Sequence, residues 1–225
     1  MKLFDNLEML EIESNGRVIY PVLVWDDNDA VLIDTGFPGQ FDVFRAAAEK
    51  AGAPFDKINK VILTHCDLDH VGCAKLFRDA GAEIMAHESE SPYICGDELS
   101  PKLARMESRH AELTDDEKAF LARVKAGAHM FHTPVEKKLR DGDTLPHCGG
   151  IKVVHTPGHT PGHICLHLFR YGVFIVGDAA NIADGKLCGA NPQHTLDMEM
   201  ADISFEKIKS VATNNIVSYH CGYLK

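Results

Sequence analysis

Metal-binding side chains are concentrated in one short segment, residues 64–72, which reads THCDLDHVG. Two histidines and two aspartates, His65, Asp67, Asp69 and His70, fall within this segment. Imidazole and carboxylate together suit zinc, manganese or iron(II), whereas a calcium site uses oxygen ligands alone. Because no thiolate falls at matching spacing, the segment predicts an open catalytic metal site rather than a closed structural zinc site.

A second segment rich in histidine, HTPGHTPGH, covers residues 155–163. Its two prolines and two glycines restrict the path of the backbone, so a histidine here has little conformational freedom. Spacing alone does not choose which of its three histidines is a ligand. Two more candidates stand near apolar runs, Asp178 after VFIVG and His220 after NIVSY.

Each of these polar groups follows an apolar run that is typical of a buried strand. The run KVIL (Lys60–Leu63), for example, comes directly before the first cluster. In layered α/β folds, polar groups that do chemistry collect at the strand ends, from which variable loops extend. We therefore expect rigid strands to hold the candidate ligands in place.

Strands and helices alternate along the chain, which predicts an α/β architecture. A turn-rich DDND between two apolar runs suggests a hairpin, and two expected helices end in glycine. The expected strands are residues 18–25, 30–36, 60–65, 82–87, 151–158, 163–170, 172–179 and 215–222, and the expected helices are residues 41–52, 73–81 and 203–212.

The middle of the chain differs, because residues 100–128 are charged, have helical character and contribute few strands. The sequence TDDE within them is typical of a helix N-terminal capping box. We interpret residues from about 95 to about 135 as a helical insertion or lid within a single domain spanning residues 1–225. Two surface helices without a function would explain the same segment.

The composition limits the classes of partner. A formal charge of −10 argues against nucleic acid or an anionic membrane, since both need clustered lysine and arginine. The seven cysteines form no CxxC pair, and neither a signal peptide nor a bilayer-spanning segment is found. We expect a protein of the reducing cytoplasm that acts on a small molecule and could form a dimer.

The ordered motifs THxxxDH, TPGHTPGH, GDA and YHCG resemble those of the metallo-β-lactamase superfamily of hydrolases, from Asp34 to His220. The resemblance implies a four-layer αββα sandwich and two divalent metal ions, zinc in the first place, with manganese or iron as alternatives. It places His65 and His159 at the first metal, Asp69, His70 and His220 at the second, and Asp178 between the two.

Asp67 stands where the resembling family has a histidine, so this chain reads HxDxDH. Either Asp67 replaces the imidazole as a ligand, or it is too short to reach and the first site is weak or empty; we favour ligation. Asp34 resembles an aspartate that orients the metal loops of the family. His163 could orient a ligand, face a substrate or pack as a loop histidine, and Tyr219 could place a hydroxyl near a substrate.

The resemblance implies a hydrolase in which a metal-bound hydroxide attacks an ester, lactone or thioester carbonyl, with a lactone first. Asp69 and Asp178 would be the catalytic carboxylates, with Asp69 carrying a proton to the leaving group. Fold alone does not choose the substrate. A phosphodiesterase, a di-iron redox protein and a ligand sensor are the alternatives.

Overall fold

Two β-sheets form the centre of the protein, which a computed structural model describes over residues 1–14, 16–211 and 214–225. In chain order the strands are β1 (Lys2–Phe4), β2 (Leu7–Met9), β3 (Ile12–Ser14), β4 (Arg17–Ile19), β5 (Val22–Trp25), β6 (Ala30–Ile33), β7 (Lys60–Leu63), β8 (Glu83–His87), β9 (Lys137–Leu139), β10 (Thr144–Leu145), β11 (Ile151–His155), β12 (Ile164–Leu168), β13 (Val173–Gly177), β14 (Ala180–Ala183), β15 (Lys186–Gly189), β16 (Asn215–Ser218) and β17 (Gly222–Leu224).

Within the described residues, seven α-helices pack around the sheets or project from them. They are α1 (Phe41–Ala51), α2 (Leu68–Val71), α3 (Ala74–Asp79), α4 (Ser91–Cys95), α5 (Pro101–Ser108), α6 (Asp115–Gly127) and α7 (Met198–Val211). Short 3₁₀ turns lie at Phe55–Lys57, His110–Glu112, Ala128–Met130, His147–Gly149 and Phe169–Tyr171. Within the described ranges, no helix is long and apolar enough to cross a membrane.

The first sheet has seven strands in the order β1-β2-β5-β6-β7-β8-β9, and the second has six in the order β10-β11-β12-β13-β16-β17. Strands β6 to β9 run parallel to one another, as do β13 and β16. The predicted hairpin is confirmed, since β5 and β6 pair antiparallel with Trp25 opposite Ala30. Two further two-stranded sheets, β3-β4 and β14-β15, lie outside this pair.

The apolar runs divide their side chains between two faces, which explains why they lack a polar alternation. Val31 and Ile33 of β6 belong to a buried cluster shared with Val153 and Leu166 of the second sheet. Leu32, between them, packs in a cluster with residues of α1 and α3. The second sheet is covered on its other face by α7. The α/β sandwich expected from the sequence is therefore confirmed.

Several element boundaries differ from the sequence predictions. The expected strand 18–25 is broken at Pro21, whose ring removes a backbone donor, and its first part pairs with β3 instead. The expected helix 73–81 is α3, and a separate turn of helix, α2, begins within the ligand segment. Helix α7 begins at Met198, before the expected start, and the predicted end at residue 212 lies outside the described residues. The last expected strand is two strands with a turn between them.

The expected helical insertion contains α5 and α6. At the start of α6, the Glu117 backbone N–H donates to Thr114 Oγ1 at 3.3 Å and the Thr114 N–H donates to Glu117 Oε2 at 2.8 Å. This reciprocal pair confirms the predicted capping box, which stabilises a helix start by about 1 kcal/mol. Leu121 and Val124 of α6 are buried, so the insertion packs onto the rest of the chain.

Candidate metal centre

The candidate ligands converge because the strands that precede them end on the same side of the two sheets. His65 follows β7, and Asp69 and His70 lie on α2, the helical turn that begins after Asp67. His159 lies in the loop between β11 and β12. Asp178 comes directly after β13, and His220 occupies the turn between β16 and β17.

The structure brings these residues into two adjoining groups, which are linked by a third combination of possible ligands, His65, His70 and Asp178. In the first, Asp67 Oδ2 lies 3.2 Å from His65 Nε2 and 3.1 Å from His159 Nε2. The Asp67 carboxylate is therefore long enough to reach the position between the two imidazoles. Each of the three residues offers an atom that could hold a metal ion.

The second group contains Asp69, His70 and His220. Asp69 Oδ2 lies 3.8 Å from His70 Nε2 and 3.4 Å from His220 Nε2. Asp178 stands between the groups, with Oδ1 at 3.3 Å from His70 Nε2 and Oδ2 at 3.5 Å from His159 Nε2. A carboxylate in this position faces both groups at once.

Burial leaves some of these ligand atoms without a partner. His65, His70 and His159 are buried, and Nε2 of His65, Nε2 of His70 and Oδ1 of Asp178 make no hydrogen bond within the described part of the chain. Buried polar atoms are normally satisfied, so such a set needs an explanation. Convergent imidazole nitrogens and carboxylate oxygens fit divalent metal ions such as zinc, manganese or iron(II).

Asp34 orients the His70 ring. Its carboxylate accepts from the Thr64 N–H at 2.8 Å and from the Thr64 hydroxyl, and its Oδ2 lies 2.9 Å from His70 Nδ1. The Nδ1 proton is therefore donated to Asp34, which leaves Nε2 free to bind a metal. The backbone at Asp34 has φ 63°, a left-handed conformation that Asp and Asn adopt more readily than other residues with a side-chain Cβ.

His163 holds the backbone of Asp178. Its Nδ1 lies 2.9 Å from Thr156 Oγ1, and its Nε2 accepts from the Asp178 N–H at 3.1 Å. Burial, together with the neighbouring imidazoles, lowers the pKa of His163 well below its usual value, so the ring is neutral and can accept. His163 is thus buried as a positioning residue and does not line the cavity described below.

Glu90 joins the two segments that carry most of the candidate ligands. Its buried carboxylate accepts from the Cys66 N–H at 2.8 Å and from the Gly162 N–H at 2.6 Å. One of these donors lies in THCDLDH and the other in HTPGHTPGH. No sequence signal marks Glu90, because the stretch AHESE has no spacing that distinguishes a buried carboxylate from an exposed one.

Burial and neighbouring groups shift the pKa values of these side chains in different directions. Burial lowers the pKa of His65 to about 3, so this imidazole is neutral at pH 7 and can bind a metal. Burial and the charge of Asp178 raise the pKa of Asp69. Although burial opposes both shifts, the neighbouring imidazoles and the Lys102 ammonium hold the pKa of Asp67 well below its usual range, and His70 and His220 do the same for the pKa of Asp178.

A cavity of about 1000 Å³ opens over both groups, and the helical insertion forms one of its walls. Leu103, Met106 and Phe120 line this wall, and Val18 and Phe37 line another part of the cavity. Tyr219 does not line it. Its hydroxyl instead donates to the Asp69 carbonyl at 2.6 Å, so the suggested role near a substrate is wrong.

Lys102 is a second residue at the site that no sequence pattern marks. It belongs to α5 of the insertion, lines the cavity, and its ammonium donates to Asp67 Oδ2. The same Nζ lies 2.8 Å from His159 Nε2. A lysine in a charged helical segment carries no sequence signal for such a contact, because the contact depends on how the insertion folds back.

A layered α/β sandwich with clustered histidines and aspartates at its strand ends defines a class of metal-binding proteins. The chain belongs to the metallo-beta-lactamase superfamily, whose sequence model matches residues 15–216. The resemblance noted from the motifs is therefore confirmed.

Three similar proteins illustrate the relationship. The uncharacterized protein YobT of Bacillus subtilis is 28% identical over 172 residues, which cover 74% of this chain and 65% of YobT. The probable metallo-hydrolase YflN of the same organism is 28% identical over 218 residues, which cover 91% of this chain and 80% of YflN. The crystal structure of the metallo-beta-lactamase family protein TTHA1429 from Thermus thermophilus has a TM-score of 0.79 at 21% identity, over 99% of this chain and 76% of that one.

Proposed function

We propose that this chain is a dinuclear metal-dependent hydrolase that acts on the carbonyl group of a small ester, lactone or thioester. The observation that carries the proposal is the set of buried atoms of His65, His70 and Asp178 that make no hydrogen bond within the described part of the chain. They lie among carboxylates at one end of the sandwich. Two relatives named as probable metallo-hydrolases support a metal-dependent hydrolase in general.

The two groups suggest how the ions would be divided. Asp178 faces both groups, which supports a bridging role for its carboxylate. We assign the first ion to His65, Asp67 and His159 and the second to Asp69, His70 and His220, with Asp178 shared.

Two divalent ions, zinc in the first place and manganese or iron as alternatives, would polarise a substrate carbonyl and lower the pKa of water. Side chains of the protein would hold the metal ligands in position and supply a proton to the leaving group. Asp69 lines the cavity and its Oδ2 lies 3.4 Å from His220 Nε2, so we assign to it the transfer of a proton to the leaving group. Asp34 and His163 would keep His70 and Asp178 in their orientations.

The cavity supports a small-molecule substrate. Its volume of about 1000 Å³ is at the upper end of ordinary ligand pockets. Apolar side chains of the insertion, such as Leu103 and Phe120, face a floor of histidines and aspartates. Such a pocket would hold an apolar acyl portion and place its carbonyl over the polar floor. We place lactones first, and we propose that residues 1–225 form one domain with a lid at about 95–135.

The test combines metal analysis with a substrate panel. Protein purified without oxygen or added metal should contain up to two zinc, manganese or iron ions per chain by elemental mass spectrometry. The zinc-, manganese- and iron-loaded forms are then assayed on lactones, thioesters, esters and phosphodiesters. His70→Ala should lower turnover by at least about a hundredfold, whereas His129→Ala, which alters an exposed histidine of the insertion, should not change it.

Three results would contradict the proposal. They are a phosphodiester as the preferred substrate, full turnover by His70→Ala, and a chain that binds no divalent ion. Iron with electron transfer but without hydrolysis would favour a redox protein instead.

A further inference from the structure

Lys102 brings a positive charge to the first group of candidate ligands. It lies in the first turn of α5, directly after Pro101, and only 20% of its side chain is exposed. Its ammonium donates to Asp67 Oδ2 and lies 2.8 Å from His159 Nε2. The ammonium therefore contacts two of the three residues assigned to the first ion.

The second group has no such contact. Asp69, His70 and His220, with the intervening Asp178, form ion pairs with one another, with Asp34 and, through Asp178, with His159, and none of their ion pairs within the described ranges involves a lysine or arginine. The two groups are thus alike in ligand type but unlike in their neighbours. Lys102 is the residue that makes the difference.

An ammonium and a metal ion cannot share Asp67 Oδ2. An ion bound by Asp67 and His159 would stand against the ammonium, and two cations at contact distance in a half-buried site repel one another strongly. Binding at the first group therefore requires that the ammonium move away. The four-carbon stem of lysine can rotate, and Lys102 lines a large cavity into which the ammonium can turn.

We infer that Lys102 competes with the first metal ion, so that the second site fills first and the first site fills only when the ammonium withdraws into the cavity. This inference deepens the proposed function, on whose two-metal site it rests. Asp67 has a role whether the first site is empty or filled, because its carboxylate pairs with the ammonium when the site is empty and would face the ion when it is filled. A neutral imidazole at this position would provide no negative charge for the ammonium.

The experiment is a zinc titration of full-length protein stripped with a chelator, followed by competition with a chromophoric zinc indicator. The wild type should bind zinc in two separated steps. Lys102→Met keeps the length of the side chain without its charge, and it should tighten the weaker step by about 10- to 100-fold and leave the tighter step unchanged. Lys102→Arg, which keeps the charge, should retain the wild-type separation.

Two further variants make the comparison secure. Lys102→Gln is a second neutral side chain and should behave as Lys102→Met does, and circular dichroism confirms that each variant is folded. Lys118→Met removes a charge from the same insertion, where the ammonium lies 3.9 Å from Asp115 rather than near the ligands. Its two zinc steps should match those of the wild type.

Failure of the inference and failure of the proposed function give different results. Two equally tight steps in the wild type, or an unchanged weaker step in both folded neutral variants, would overturn the role of Lys102 and leave the hydrolase proposal standing. The absence of any binding of zinc, manganese or iron(II), in the wild type and in the neutral variants, would overturn both.

Discussion

Replacing Asp34 with asparagine tests whether the orientation of His70 depends on one carboxylate. Asparagine has nearly the same shape and also tolerates the left-handed backbone at φ 63°, so the change is confined to the hydrogen bonds. Its carbonyl oxygen can still accept from the Thr64 N–H. Its amide group, however, brings N–H donors to the His70 Nδ1 proton, where Asp34 accepts at 2.9 Å.

The expected loss of metal affinity follows from the change that the His70 ring must then make. To avoid two facing donors, the ring must move its proton to Nε2, the atom that faces Asp178 at 3.3 Å and would bind the second ion. Loss of such an orienting partner costs about 10- to 100-fold in metal affinity, or about 1.4–2.7 kcal/mol. The loss of a charged acceptor for a buried donor should also lower the free energy of unfolding of the metal-free protein by about 1–3 kcal/mol.

The assays are a zinc competition titration and urea unfolding of the metal-free chain, with Asp42→Asn as the control. Asp42 is exposed in the first turn of α1, so its substitution should change the unfolding free energy by less than about 0.5 kcal/mol and leave zinc affinity unaltered. Wild-type zinc affinity in folded Asp34→Asn would refute the reasoning, because it would show that the ring orientation does not depend on the carboxylate.

The other predictions concern how the ligand segments are held together. Glu90→Gln leaves one of the two buried N–H groups of Cys66 and Gly162 without an acceptor, so it should destabilise the fold by about 1–3 kcal/mol in urea unfolding. Glu88→Gln, which alters an exposed pair with Arg140, should change the free energy of unfolding by less than about 1 kcal/mol. Equal effects of the two substitutions would contradict the role of Glu90. Gly158→Ala would place a Cβ 2.3 Å from the Ala201 nitrogen at φ +131°, so its thermal midpoint should fall further than that of Gly81→Ala, whose Cβ meets nothing within 4 Å at φ +106°. Burial and the stacked His155 ring lower the pKa of His87 to about 4. As the pH drops from about 6.5 towards 4, the unfolded chain therefore protonates this histidine before the folded protein does, and the free energy of unfolding falls. His87→Phe should lose less stability over this pH range in urea unfolding, and an unchanged pH profile would show that His87 does not contribute.

The strands and the identity of the candidate ligands could be predicted from the sequence because both depend on local patterns. The run KVIL predicts β7 because a strand buried on both faces needs apolar residues throughout, and the structure buries Val61, Ile62 and Leu63 completely. The helix end at Gly52 could be predicted because glycine adopts the left-handed conformation there, with φ 70°. Pro21 was not recognised as a strand break, since proline also occurs at strand edges.

The clustering of ligand types within six positions made the first ligand segment visible without any structure. The choice among the histidines of HTPGHTPGH came from the family resemblance, since spacing alone left three candidates. In the structure, the three histidines have different neighbours. His159 faces Asp67 and Asp178, His163 is held between Thr156 and the Asp178 backbone, and His155 contacts the Pro161 carbonyl.

By itself, the sequence determined the α/β class, the positions of the central strands and the set of candidate metal-binding side chains, because each is encoded within a few consecutive residues. Only the tertiary structure decided which groups meet across long separations. Glu90 bonds both ligand segments, and Lys102 reaches Asp67 and His159 from an insertion whose own pattern reads as a solvated helix. Such contacts depend on how distant segments pack, and no local periodicity or spacing records that packing.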